Sequence, residues 1–141
     1  MMRRLILLIF VSAMLLSTAS QAGVAVIVHL ENHEVINEAQ LKNLYLGKSK
    51  SFPSGADVLV LDVSRPNPAR DLFIRKVLRR SEENLSAYWA RMLFSSQGRP
   101  PKVVTQSQEV LDIVAMDVSA IGYVLTSEVD KNRVRVLMVF E

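Results

Sequence analysis

The chain has 141 residues, half of them hydrophobic, with 17 basic and 14 acidic side chains, two histidines and no cysteine. The lack of cysteine excludes disulfides, thiolate metal centres and a lipid-modified cysteine. Without Arg3 and Arg4, 15 basic residues face 14 acidic ones and the formal charge falls from +3 to +1, which argues against a nucleic-acid partner.

Arg3 and Arg4 precede an apolar run, Leu5–Leu16, interrupted only by Ser12. A small, polar stretch follows, with Ser20 and Ala22 at the −3 and −1 positions of a signal-peptidase site. Residues 1–22 therefore read as a cleavable secretory signal and 23–141 as one domain. Twelve residues of apolar run fall short of the roughly 20 that span a bilayer. The expectation is a soluble, unlipidated protein exported to a periplasm, with no membrane insertion after cleavage. A domain of this size buries roughly 65% of its unfolded-chain surface and folds without staples.

Val24–Leu30 is apolar on both parities and rich in β-branched residues, the pattern of a strand covered on both faces. Asn37 and Gln40 have capping-box spacing for a helix carrying Leu41, Leu44 and Tyr45 on one face and a Glu38–Lys42 pair on another; Gly47 ends it. Phe52-Pro53-Ser54-Gly55 reads as a turn and Val58–Val63 as a second buried strand. Asn67 and Pro68 then give a cap followed by proline at the first helical position. The stripe of that helix is Phe73, Ile74, Val77 and Leu78. Ser81 caps the next helix, with Glu82 and Glu83 in its first turn and Leu85, Trp89, Met92 and Leu93 on its predicted core face. Gly98, Pro100 and Pro101 make a loop, Val103–Val104 a short strand, and Thr105 with Gln108 a second capping box for a helix carrying Val110, Leu111, Val114 and Ala115. Ile121–Leu125 and Val134–Phe140 close the chain as strands. In the last, Val134, Val136, Met138 and Phe140 are predicted to share one face, with the strand at the edge of the sheet. Strands alternate with helices throughout, so the expected architecture is a layered α/β sandwich, a mixed sheet flanked by helices.

One segment has the grammar of a ligand site. Ser64–Asp71 (SRPNPARD) joins a strand end to a helix start, where α/β folds collect ligands and unpaired N–H groups attract anions. Ser64, Arg65, Asn67, Ala69 and Arg70 are the candidate contacts for a small oxyanion. Pro68 has no N–H to give, and the Asn67 side chain competes for the same donors. Arg75, Lys76, Arg79 and Arg80 form a basic helix face, read either as a solvated side or as a docking patch for an acidic partner or anionic headgroups. His29, Glu31 and His33 alternate, but the strand ends near Leu30 and the stretch reads as a solvated turn, so no metal site is assigned. No serine has the His–Asp company of a nucleophile. A non-enzymatic protein without a cofactor is expected.

Several local features stand in a familiar order: Leu46-Gly47-Lys48, Phe52-Pro53-Ser54-Gly55, Phe73, Tyr88-Trp89, Phe94 with Gly98-Arg99-Pro100-Pro101, and Ala120-Ile121-Gly122-Tyr123-Val124. Over roughly Val24 to Val124 the chain resembles the periplasmic phosphate-binding proteins of ABC importers, and more closely their short, one-domain relatives. The resemblance implies a single lobe of a type II periplasmic binding protein. It also implies that Arg65 matches the arginine of the family's ligand-binding turn, while Pro66-Asn67-Pro68-Ala69 stands where that family has small hydroxyl and glycine donors.

Two functions follow as expectations. One is a solute-binding-protein-like module with weak affinity for phosphate or another oxyanion. The other is a non-catalytic interaction module of an envelope assembly, engaging a protein partner or a second copy of itself, that has lost the ligand site. Mass spectrometry of the exported protein is expected to give a mature N-terminus at Gly23; a chain still beginning at Met1 would overturn the assignment.

Overall fold

The computed structural model describes residues 22–141. The predicted signal, apart from Ala22, lies outside the described residues. β1 (Val24–His29) leads to α1 (Glu38–Tyr45), β2 (Leu59–Val63) and α2 (Pro68–Phe73). α2 runs directly into a π-helical turn, Ile74–Leu78, and α3 (Glu82–Phe94) follows. β3 (Lys102–Val104), α4 (Ser107–Met116), β4 (Ala120–Leu125) and β5 (Val134–Phe140) complete the chain.

The five strands of the described residues form one mixed sheet in the order β3-β2-β4-β1-β5. β2 is parallel to β3 and β4, while β1 is antiparallel to both β4 and β5. The doubly apolar β1 sits inside the sheet and splits its side chains between two cores. Val24, Val26 and Val28 face α1, α2, the π turn and α3, whereas Ala25 and Ile27 face α4. The unbroken apolar run from Val24 to Val28 is thus what a strand sandwiched between helix layers requires. α4 lies close against β4 at Gly122, where a Cβ would come within 2.5 Å of Val110 Cγ1.

The predicted caps at three helix starts form. Asn37 and Gln40 make a reciprocal capping box, Asn67 caps α2 with Pro68 at its first position, and Ser81 caps α3. The turn at Phe52–Gly55 closes through Gly55 N–H to Phe52 O, 2.8 Å.

Four expectations need correction. β2 begins at Leu59, and Val58, Leu59 and Val60 are only half-buried, because β3 starts opposite Leu61 and leaves the first part of β2 uncovered on that side. The Thr105–Gln108 capping box does not form: α4 starts at Ser107, so Gln108 falls one residue short of the position the box needs, and Thr105 bonds Glu109 instead. On α3 the buried positions are Leu85 and Tyr88, with Trp89 and Met92 half-buried and Leu93 exposed. The stripe is shifted because the Tyr88 hydroxyl reaches Leu46 O while its ring lies under the Arg80 guanidinium, 4.8 Å away. In β5 a bulge opposite Val26/Ile27 inserts Leu137, so Val134 and Val136 face the α4 core and Met138 and Phe140 the opposite one. One extra residue exchanges the faces. β5 does lie at the sheet edge, as predicted.

Trp89 therefore acts less as core than as a wedge against the loops after α1 and α3. Gly47 sits at φ +69°, and a Cβ there would meet Trp89 Cη2 at 2.9 Å. Gly47→Ala is expected to lower stability by about 1–3 kcal/mol in denaturant unfolding, from left-handed backbone strain plus the clash. In the Trp89→Ala background the clash disappears and only the backbone part of that loss remains.

Candidate functional site

The carboxyl ends of the parallel strands β2 and β3 lie side by side, and a helix starts just beyond each. α2 and α3 pack on one face of the sheet and α4 on the other, so the helices that follow β2 and β3 leave in opposite directions. A crevice outside such strand ends is the usual ligand position in an α/β sheet.

Most of the predicted residues gather here. Ser64 N–H bonds Val104 O at 2.9 Å, joining the two strand ends. Asn67 Oδ1 accepts the N–H groups of Ala69 (2.8 Å) and Arg70 (3.4 Å), so the first donors of α2 already have a partner within the chain. Asn67 Nδ2 points to Ser107 Oγ at 3.2 Å, linking the two helix starts. Ser107, which sequence reasoning passed over, is buried. Its signal was the repeated grammar of a β-strand running straight into a helix.

The two arginines have different circumstances. Arg70 is turned inward: its Nε and Nη2 meet the Glu82 carboxylate at 2.7 and 3.1 Å, and its Nη1 meets Asp62. Tyr123 on β4 donates to the same Asp62. Burial works against the Arg70 charge, but the hydrogen-bonded Glu82 and Asp62 outweigh it and raise its pKa. Burial, aided by the Asp62 carboxylate, likewise pushes the Tyr123 phenol far up and keeps it a neutral donor. Arg65, by contrast, is 62% exposed along its side chain, and its one ion pair among the described residues is a distant one to Glu82 at 3.9 Å. The carboxylates and tyrosine around Arg70 were not legible as a set, because they come from β2, α3 and β4.

No protein-family model and no curated protein matches the chain. Solved structures do. An ABC-type phosphate transport receptor from Vibrio cholerae superposes with TM-score 0.64 at 15% identity, over 83% of this chain and 46% of the receptor. A candidate phosphate ABC transporter substrate-binding protein with bound phosphate, from Clostridium perfringens, gives TM-score 0.64 at 23% identity, over 82% of this chain and 44% of that one. PstS from Borrelia burgdorferi gives 0.62 at 16%, over 82% and 46%. The fold is that of one lobe of a phosphate-binding protein. The chain spans less than half the length of these proteins, as expected of a single lobe, and no helix among its described residues is long and apolar enough to cross a membrane.

The Arg70 hydrogen bond holds the Glu82 carboxyl below its ordinary 4.5, against the opposing effect of burial. Its contribution to stability is complete above 4.5 and is lost as pH falls through the lower folded-state value. Thermal melts taken from neutral pH downward should show this loss in the wild type, and Glu82→Gln should be less stable at neutral pH and flatter across that window.

Proposed function

We propose that the chain is an exported, periplasmic solute-binding-protein-like module, a binder and not a catalyst, whose ligand face is the crevice at the carboxyl ends of β2 and β3. The ligand class is a small oxyanion, with phosphate first. The observation that carries this reading is the superposition of most of the chain on one lobe of phosphate receptors, one of them holding phosphate. The crevice adds chemical support: Arg65 supplies an accessible cation, and Ser64, Asn67 and Ser107 bring hydroxyl and amide donors to the same strand ends.

Binding here is weak, for three physical reasons. Asn67 occupies the N–H groups of Ala69 and Arg70, Pro68 contributes none, and Arg70 is neutralised by two carboxylates. An anion therefore relies chiefly on Arg65, in an open site where water competes.

Isothermal titration with phosphate and with sulfate tests the reading. Arg65→Ala is expected to weaken binding about tenfold or more, the loss of one charge-assisted hydrogen bond. Replacing Asn67-Pro68 by Ser-Gly should strengthen it by restoring a backbone donor. Absence of binding to both anions at millimolar concentration in all three proteins would overturn the proposal.

A further inference from the structure

At the opposite end of the sheet, beside the amino-terminal ends of β2 and β3, runs a groove of about 980 Å³. Its apolar surface includes Val58, Val60, Leu93, Pro100 and Pro101. Leu93 is 56% exposed, and Phe94, the next residue, is 98% exposed. A helix end that presents two large apolar side chains to water beside a groove is an unusual feature in a small domain. Among the described residues three cations, Lys50, Arg99 and Lys102, line the groove, and no carboxylate does.

The backbone adds a further element. β3 pairs with β2 only from Leu61 to Val63, so among the described residues no strand runs beside Val58–Val60 on this side, although Leu59 and Val60 are anchored to β4 on the other. A strand edge left open within a groove can take an added strand: main-chain hydrogen bonds supply affinity, and alternate side chains are read by the flanking walls.

We infer that this groove is a docking site for an extended acidic segment of a partner protein, laid along the open edge of β2. Its apolar side chains rest on Val58, Leu93 and Pro100, and its carboxylates meet Lys50, Arg99 and Lys102. Charge decides the class of occupant, since an all-cationic lining repels a basic segment and leaves its own charges unpaired against a neutral one. The surface is separate from the oxyanion crevice, so it stands whether or not that crevice binds phosphate.

The probe is a short acetylated peptide alternating aspartate and valine, titrated into the exported chain. Trp89 reports on it directly, being the chain's one tryptophan and packed against Gly47 and Gly98, both in the groove lining. The expected result is a saturable change in Trp89 fluorescence, with amide shifts at Val58, Leu59 and Val60. Binding should weaken at least about tenfold in the triple variant Lys50→Glu, Arg99→Glu, Lys102→Glu. It should stay unchanged in Arg75→Glu, Lys76→Glu, which alters net charge away from the groove; far-UV circular dichroism verifies that both variants fold. Equal binding of a lysine–valine peptide, equal loss in the two variants, or amide shifts at β5 instead would overturn the proposal. So would a dimer of the unliganded chain in sedimentation that the triple variant dissociates, because the groove would then belong to a second copy.

Discussion

The Arg70 guanidinium, clamped between Asp62 and Glu82, is the interaction around which this lobe is organised. It links the end of β2 to α2 and to the first turn of α3, and Tyr123 brings β4 to the same Asp62. A largely buried charge is costly unless its partners are well placed, and breaking such a set leaves an uncompensated charge behind. The arrangement therefore specifies how α2 and α3 sit over the sheet. It also determines the chemistry next door. A cation committed to two carboxylates has little left for an anion, so Arg65 is left as the accessible charge of the crevice.

The second constraint is the break between α2 and α3. The π-helical turn Ile74–Leu78 keeps Ile74, Val77 and Leu78 in the core, and Arg79 then adopts φ +54° to end the helix. The basic face beside it is partly structural. Arg79 lies 3.7 Å from Glu38, and Arg80 bonds Asn84 while covering the Tyr88 ring. Part of what the sequence displays as a uniform positive stripe is thus engaged in holding α1, α3 and the turn together. Beneath it, Phe73 stacks on Tyr123 at 4.0 Å and meets Tyr45 at 4.5 Å, a closely packed aromatic group that joins α1, α2 and β4.

The two ends of the parallel strands carry opposite chemistry. The carboxyl ends open onto hydroxyls, an amide and an arginine between helix starts. The amino ends open onto a cationic, apolar groove bounded by the loop after α3 and the uncovered start of β2. Both ends are framed by β3, which ends level with β2 at Val104 and begins only opposite Leu61. Its end places the start of α4 close to Asn67, and its late start leaves the first residues of β2 without a partner strand among the described residues on that side.

Local signals in the sequence determined the elements and most of their boundaries. Capping side chains, proline at a first helical position and β-branched runs act over a few residues, so Asn37, Asn67, Ser81 and the doubly apolar β1 were legible without coordinates. The family resemblance supplied the single-lobe fold, and the strand-to-helix grammar supplied the position of the crevice. What the tertiary structure alone decided are contacts between residues far apart in sequence. Asp62, Glu82 and Tyr123 converge on Arg70 from three elements, Ser107 meets Asn67 from the opposite side of the crevice, and the bulge at Leu137 reverses the faces of β5. Periodicity assigns a residue to a face only while the register holds, and it carries no information on which distant partner satisfies a buried charge. The direction of Arg70, inward to carboxylates and away from the crevice, is for that reason a property of the fold and not of its local sequence.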